Sequence, residues 1–377
     1  MIRQRCLALA YDYMRRGIYV DERLTLLKEI SELPGVPGYE DEVSDYIAAK
    51  MRPYAEVTKD NLGSVICKKA GTSDRPRIML AGHMDEVGGM VMYITKEGAV
   101  KFQVLGGLLE QVSQAQRFVI KTSSGDVIGV TGTRPPHIQK PDERAKVPDR
   151  SRMFIDVGAS SKEEAETMGI VPGDPVIPFS PFTVMKNPKY LLGKAFDDRA
   201  GCAVFMEVIR ALQGVEHPNT VYGVGTVQEE VGTRGATTSG AAVDPDICIV
   251  LEFDIPGDTP NVAEWEGRVR LGKGPGILVY DNSLIAHRRL RDFVIATAKS
   301  AGIPLQFGFM PGGGNDGGKI QVNRTGVPTL PITIPVRYGH CHTGIMHRDD
   351  FDMAVTLVTE MMKRLDEPTV KAIKGNQ

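Results

Sequence analysis

The sequence has 377 residues, of which 42% are hydrophobic and 24% charged, and its formal net charge is -2. This composition is typical of a globular protein, and the length predicts about two domains. The nearly balanced charge provides no basic surface, so we expect no nucleic-acid partner. No apolar run reaches the roughly 18 residues of a membrane span, so we expect no membrane partner.

The first twenty residues combine a short apolar patch with the charged residues Asp12, Arg15 and Arg16. A secretory signal needs a longer apolar stretch, so we predict an amphipathic helix here. The five cysteines are scattered and contain no CxxC pair. This pattern argues against a disulfide framework and a thiolate zinc site, and it predicts a cytoplasmic protein.

Helical and strand-like patterns alternate along the chain. Residues 21–52 are predicted to be helical, with a break at LPGVPGYE and with Glu40 or Glu42 near a helix start. Strand-like apolar runs occupy 77–81, 220–227, 247–253 and, less regularly because of prolines, 328–337. Further helical patterns cover 200–212, 282–302 and 349–365. This alternation predicts an α/β fold, a mostly parallel mixed sheet with helices on both faces.

Residues 89–187 have a different character, because alternating β segments and hairpin-like turns dominate there and helical patterns are scarce. We predict that they form an inserted, β-rich, barrel-like domain. The α/β domain is then discontinuous and consists of residues 1–88 and 188–377.

Several of the predicted strands end in side chains that can bind a metal. These side chains are His83 with Asp85, the pair Glu229 and Glu230, Asp254, and His340, and Asp197 and Asp198 add carboxylates at the start of a helix. The carboxyl ends of parallel strands meet at one edge of a sheet, so these residues can converge. Histidine and carboxylate ligands suit Zn²⁺, Co²⁺ or Mn²⁺, and there are enough of them for two ions.

Each candidate also has a simpler explanation when it is considered alone. His83 is explained as a structural histidine, Asp197 as a helix N-cap, Asp254 as a turn residue, and the pair Glu229 and Glu230 as one solvated and one salt-bridged residue. Four such coincidences at strand ends nevertheless favour a metal site over the separate explanations.

The adjacent Glu229 and Glu230 pose a further question, because neighbouring carboxylates repel each other and are costly to bury. Bound cations would compensate their charge. Adjacent strand residues point to opposite faces, so we predict that the backbone turns here and lets each carboxylate reach a different target.

Five motifs in this order, GHMDEVG, GKAFDDRAG, VQEEVGTRGA, EFD and RYGHCH, resemble the dinuclear-metal aminopeptidases of the tetrahedral (TET) family. Proteins described as FrvX-like, glutamyl aminopeptidase or "cellulase M" belong to that family. The similarity extends over nearly the whole chain, including the stretch FIDVGASSKEEAETMGIVPGD in the inserted domain. The resemblance implies hydrolysis of N-terminal residues from short peptides, two divalent ions per subunit (zinc or cobalt), and dimers, formed through the inserted domain, that assemble into a hollow dodecamer.

The resemblance also implies a role for each matching residue. The metal ligands would be His83, Asp197 as the bridge between both ions, Glu230 and His340 on one ion, and Asp254 on the other. Asp85 would be a partner of the ligand His83 rather than a ligand itself. Glu229 would be the general base that takes a proton from a metal-bound water, and the hydroxide formed between the two ions would be the nucleophile.

The sequence departs from the family pattern at two places that bear on the site. PGGGNDGG (311–318) stands where relatives have a GGTDA-like stretch, so Asn315 and Gly317 are expected to alter specificity or geometry. GHCHTG contains two histidines instead of one, which makes His342 a rival of His340 for the ligand role.

Two other functions compete with the aminopeptidase hypothesis. A glycoside hydrolase of the endoglucanase type needs two carboxylates flanking one bond at about 5–10 Å and gives the histidines no role. It also predicts an aromatic-lined sugar cleft, yet the chain has one tryptophan, Trp265. A non-catalytic assembly protein is the third hypothesis, and the presence of all the expected ligands and the base disfavours it.

Overall fold

The protein is described by a computed structural model over residues 21–132, 134–141, 146–147, 149–260, 262–263 and 265–375. The amphipathic helix predicted for the first twenty residues lies outside these ranges. The described helices are α1 (Glu22–Glu32), α2 (Asp41–Met51), α3 (Lys162–Thr167), α4 (Phe196–Ala211), α5 (Arg234–Val243), α6 (Arg288–Ala301), α7 (Gly317–Ile320), α8 (Arg348–Met362) and α9 (Glu367–Lys374).

The described strands belong to one large sheet and one barrel. They are β1 (Glu56–Lys59), β2 (Val65–Lys69), β3 (Arg77–His83), β4 (Gly88–Ile94), β5 (Val100–Leu105), β6 (Arg117–Thr122), β7 (Gly125–Thr131), β8 (Ile155–Asp156), β9 (Pro175–Pro178), β10 (Thr183–Val184), β11 (Tyr190–Gly193), β12 (Thr220–Thr226), β13 (Ile247–Asp254), β14 (Gly276–Asp281), β15 (Gln306–Met310), β16 (Thr329–Arg337) and β17 (Gly344–His347).

The large sheet runs in the order β1-β2-β12-β3-β13-β16-β17-β11-β10, and β14 and β15 branch from β16. Its four central strands β12, β3, β13 and β16 are parallel, whereas the flanking strands are antiparallel. The carboxyl ends of the four central strands therefore lie along the same edge. This edge carries the candidate metal-binding residues.

Both faces of the large sheet are covered, because successive side chains of β3 alternate between two hydrophobic layers. Ile78 and Leu80 pack in one hydrophobic layer together with the helices α1, α2, α4, α6 and α8. Met79 and Ala81 face the other layer, which contains side chains of α5 and α7. The predicted α/β class, with helices on both faces of a mixed sheet, is confirmed.

Strands β4, β5, β8, β7, β6 and β9 close into a separate barrel. Buried apolar side chains such as Val100, Phe102, Phe118 and Ile120 fill its interior. The barrel strands lie between Gly88 and Pro178, and the chain has returned to the large sheet by β10. An inserted β-barrel is thus confirmed as part of the fold, while the boundaries 89 and 187 stay a prediction.

None of the helices in the described parts of the chain has both the length and the apolar character that crossing a bilayer requires.

Candidate metal centre

The paired glutamates sit on a sharp turn that follows β12. His83, at the end of β3, lies opposite Thr226, the last residue of β12. Gln228 then adopts a left-handed conformation (φ 55°) and redirects the chain immediately before Glu229 and Glu230. The predicted turn of the backbone at this pair is confirmed.

Two buried carboxylates hold this turn through three consecutive backbone N–H groups. Asp85 accepts hydrogen bonds from the N–H groups of Glu229 and Glu230, each at 3.0 Å. Glu40 accepts one from the N–H of Gln228 at 2.9 Å. Charge-assisted hydrogen bonds of this kind are stronger than neutral ones. The turn therefore has a fixed position relative to β3.

Asp85 also fixes the orientation of His83. The Nδ1 atom of His83 lies 3.0 Å from the backbone carbonyl oxygen of Asp85 and 3.5 Å from its carboxylate. A proton on Nδ1 leaves Nε2 with a lone pair directed at the other side of the ring. Asp85 thus occupies the supporting place beside His83, not a place among the groups that face the centre.

Asp197 lies between the two histidines. Its Oδ1 atom is 3.0 Å from Nε2 of His83, and its Oδ2 atom is 3.3 Å from Nε2 of His340. Glu230 Oε1 lies 3.7 Å from the same His340 nitrogen, and Glu252 Oε1 lies 4.0 Å from His83 Nε2. Five side chains thus converge, with one carboxylate facing both imidazoles.

The described residues contain two overlapping groups able to hold a metal ion. One group is His83, Asp197 and Glu230, and the other is His83, Asp198 and Glu252. Asp198 is a weaker candidate than the other members, because its oxygens already accept hydrogen bonds from the N–H groups of His83 (3.0 Å) and Gly201 (3.1 Å). We interpret Asp198 as a support that joins β3 to α4.

An unpaired oxygen in this cluster indicates that a cation fits. Asp197 Oδ2 is buried and accepts no well-aligned hydrogen bond, although Nε2 of His340 lies 3.3 Å away. A buried carboxylate oxygen without a partner is costly. A bound divalent cation would satisfy it, and the nitrogen and oxygen donors present here are those that zinc and cobalt accept.

The electrostatics of the cluster also favour a cation. Burial raises the pKa of Glu229 and of Glu252 well above the usual range, and nearby carboxylates contribute further. Burial, followed by the charge of Asp197, raises the pKa of Glu230 to about 7. Burial lowers the pKa of His340, but the close contact with the negatively charged Asp197 carboxylate outweighs it and raises this pKa to about 10. Two imidazoles do not neutralise this many carboxylates, so additional positive charge is expected.

Asp254, a predicted ligand, is not among the side chains that converge, whereas Glu252, two residues earlier on the same strand, is. Beyond Val250, β13 leaves β3 and continues along β16. Asp254 lies two residues, or about 6.6 Å, further along the strand than Glu252. Its carboxylate accepts hydrogen bonds from the N–H of Ile255 (2.8 Å) and the hydroxyl of Thr333 (3.3 Å).

Of the two rival histidines, His340 faces the cluster and His342 does not. His342 Nε2 lies 3.2 Å from the carbonyl oxygen of Phe179, and its ring packs edge-on against Phe118 with centroids 5.1 Å apart. Both partners belong to the barrel side of the molecule, so His342 joins the barrel to the large sheet.

The loop 311–318 is fixed by its own polar side chains. The amide of Asn315 donates a hydrogen bond to Asp281 at 2.6 Å and accepts one from the N–H of Gly317 at 2.8 Å. The next residue, Asp316, accepts a hydrogen bond from the hydroxyl of Thr226 at the end of β12. The loop therefore attaches to the same strand edge as the cluster.

A barrel loop approaches the cluster at two glycines. A Cβ atom on Gly106, which has a φ of 79°, would lie 2.8 Å from Oε2 of Glu230. A Cβ atom on Gly107 would lie 2.4 Å from Nδ1 of His340. Only residues without a side chain fit here, so the barrel packs its backbone against the cluster.

A cavity of about 990 Å³ opens beside the cluster. Its lining includes His83, Asp197, Glu229, Glu230, Glu252 and His340, together with the barrel glycines and the loop 312–315. Sequence reasoning missed three acids of this region, namely Glu40, Glu252 and Asp316. The available signal for Glu252 was a charged residue inside an otherwise apolar strand.

Fold and site together define an α/β enzyme in which histidines and carboxylates converge beside a substrate-sized cavity. The family model described as M42 glutamyl aminopeptidase matches residues 63–357. A second model, described as AMPT, matches residues 21–45. The chain belongs to the M42 glutamyl aminopeptidase family, and it is a peptide hydrolase.

Individual relatives agree with this assignment. The chain is 36% identical over 352 residues to a putative aminopeptidase, FrvX, of Escherichia coli K12, which covers 93% of this chain and 97% of the relative. Its sequence is 50% identical to that of a TET aminopeptidase from a marine sediment thaumarchaeote, whose crystal structure matches with a TM-score of 0.92. The match covers 94% of this chain and 99% of that chain. The chain is also 30% identical to a TET1 peptidase of Pyrococcus horikoshii, which can assemble into a tetrahedron or a large octahedral shell. The TM-score is 0.83, and the match covers 91% of this chain and 100% of that chain.

Because Asp85 holds both the turn at Glu229 and Glu230 and the ring of His83, we expect its replacement to weaken metal binding. Asp85→Asn places an amide N–H₂ against a backbone N–H, so the turn should shift and metal affinity should fall by about 10–100-fold. Competition with a chromophoric chelator measures this affinity. Asp60→Asn is the matched control, because Asp60 also accepts backbone N–H bonds, three of them, but in the β1–β2 turn. Equal affinities in both variants would contradict the role of Asp85.

Proposed function

We propose that the protein is a metal-dependent aminopeptidase that removes N-terminal residues from short peptides and uses two divalent ions, zinc or cobalt. The observation that carries this proposal is the position of Asp197, whose two oxygens face one histidine each. A carboxylate that presents one oxygen to each of two histidines is suited to being shared by two metal ions. Membership of a peptidase family supports the reaction class.

The five residues that converge would hold the ions. We assign His83, Asp197, Glu230, Glu252 and His340 as ligands, with Glu252 in place of Asp254. Bound at this site, two divalent ions would lower the pKa of a water molecule and polarise the scissile carbonyl. The supporting contacts of Asp85, Asp198 and Glu40 would keep the ligands in place.

Glu229 would serve as the general base. It lines the cavity next to the ligand Glu230, and its N–H is held by Asp85. Its own carboxylate makes none of the close contacts with the Nε2 atoms of the two histidines; Asp197, Glu230 and Glu252 make these contacts. A carboxylate whose pKa is raised by burial is suited to accept a proton and then pass it to the leaving amine.

The other two hypotheses have less support. In a glycoside hydrolase the histidines would have no role, yet both contact Asp197. A non-catalytic assembly protein would not need a cavity in contact with the cluster. The cysteines of the described residues, Cys67, Cys202, Cys248 and Cys341, are free thiols, which supports a reducing, cytoplasmic location.

Metal removal and two single variants test the reaction. We expect a chelator to abolish release of amino acids from unblocked peptides, and Zn²⁺ or Co²⁺ to restore it. Glu229→Gln should keep its metals and lose at least about 100-fold in kcat, because general base catalysis typically contributes this much. Glu230→Gln should lose metal. Metal content by mass spectrometry and peptide turnover are measured together; turnover that survives chelation would rule out the mechanism.

A second pair of variants distinguishes the two acids of β13. Glu252→Gln removes an expected ligand, so the bound metal should fall by about one ion per chain. Asp254→Asn should retain both ions, because its carboxylate is buried with a pKa raised by burial to about 7 and binds neutral donors. The measurement is metal stoichiometry after dialysis. The opposite result would restore Asp254 as the ligand.

We also propose that the chain assembles into a homo-oligomer, a tetrahedral dodecamer built from dimers formed through the barrel. The assembly of the P. horikoshii relative supports this. The barrel also exposes large apolar side chains, including Tyr93 (50%) and Ile128 (59%), and such patches favour association.

Charged substitutions on the barrel test this assembly. Replacing both Tyr93 and Ile128 by Asp should shift the dodecamer toward smaller species in sedimentation velocity, because charges would be buried at the interface. Val322→Asp, at a side chain that is 68% exposed on the large domain, is the control. A monomeric wild-type protein would refute the proposal.

A further inference from the structure

The wall of the cavity beyond the metal cluster is apolar. Phe253 and Leu278 are almost completely buried, with 7% and 1% of their surface exposed, and form its inner part. Met310 and Phe309 on β15 continue the wall toward the surface. Phe309 remains 45% exposed, so the wall begins at the edge of the molecule and ends next to the cluster.

The cationic side chains of this cavity are already engaged. Among the described lining residues they are Arg337 and the two cluster histidines. Arg337 forms a bidentate pair with Asp258, with Nε–Oδ1 at 2.9 Å and Nη2–Oδ2 at 2.8 Å. Arg268 stacks on the ring of Phe309, 5.4 Å from its centroid, and does not line the cavity. An acidic side chain at the inner part of the wall, beside Phe253 and Leu278, would therefore find no free cation among the described lining residues.

The anionic groups of the cavity are also committed. Asp197, Glu229, Glu230 and Glu252 belong to the cluster at its inner end. Away from the cluster, Glu266 is the acidic member of the described lining; it is exposed, and its Oε2 accepts the N–H of Ala263 at 2.8 Å. A lysine side chain reaching along the apolar wall would consequently lose its hydration without gaining a buried partner.

We propose that the enzyme prefers apolar N-terminal residues, such as Leu, Met and Phe, over acidic and basic ones. This preference rests on the proposed function. The side chain next to the scissile bond must occupy space adjoining the cluster, and there the cavity offers Phe253, Leu278, Met310 and Phe309. Burial of an apolar side chain against this wall is favourable, whereas burial of an unpaired charge is costly.

A panel of aminoacyl-p-nitroanilides tests the preference with the full-length, metal-loaded protein. We expect kcat/KM for the Leu, Met and Phe substrates to exceed that for the Glu and Lys substrates by at least about tenfold, which is the lower range of discrimination in apolar pockets. A Glu or Lys substrate hydrolysed as fast as Leu overturns the preference and leaves the aminopeptidase function intact. Failure to hydrolyse any substrate overturns the proposed function, and the preference with it.

Two exposed phenylalanines of β15 provide a matched pair of variants. Phe309 lines the cavity, whereas Phe307, two residues earlier and 43% exposed, does not. Phe309→Lys should raise the ratio of Glu to Leu hydrolysis by about tenfold, because it supplies the missing cation. Phe307→Lys should leave this ratio within about twofold of the wild-type value. Equal ratios in the two variants would show that this wall does not contact the substrate side chain.

Discussion

The burial of many carboxylates around two imidazoles is the constraint on which this structure depends. Asp197, Glu229, Glu230 and Glu252 gather at one edge of the sheet, where low solvent exposure strengthens their mutual repulsion. Such a cluster is tolerable only if cations or strong hydrogen-bond donors compensate it. His83 and His340 approach Asp197 at 3.0 and 3.3 Å and supply part of this compensation, and bound cations would supply the rest.

The position of this edge depends on contacts between distant parts of the chain. Asp198 ties the start of α4 to the end of β3, and Asp85 ties β3 to the turn after β12. Glu40, from the beginning of α2, holds the first residue of that turn. These contacts use backbone N–H groups, so they set positions without occupying the side chains that face the cavity. The cluster is thereby preorganised by the parts of the chain that surround it.

The barrel also shapes the surroundings of the metal-binding cluster, in addition to exposing apolar side chains at its surface. Gly106 and Gly107 bring its backbone against Glu230 and His340, and His342 anchors the two parts of the molecule to each other. A change in the barrel position would therefore alter the space around the cluster. This contact gives a physical connection between the surface proposed for assembly and the site proposed for catalysis.

Much of the fold could be predicted from the sequence, because its strands and helices follow from local patterns of apolar residues. The β3, β12 and β13 strands are continuous apolar runs, and the helices between them carry the expected periodicity. Residue chemistry likewise indicated a histidine and carboxylate site, since buried strands rarely end in so many potential ligands. The strands β14 and β15 were not predicted, and they proved to form the apolar wall of the cavity.

The tertiary structure decided which of two nearby, chemically similar residues lies at the candidate metal centre. Glu252 and Asp254 are both acids of one strand, and only the divergence of β13 from β3 separates them. His340 and His342 are two residues apart, and the contact of His342 with the barrel distinguishes them. The sequence by itself determined the fold class and the chemical types of the side chains at the candidate metal centre. The choice among similar residues depended on distances of a few ångströms between remote segments, which no local pattern specifies.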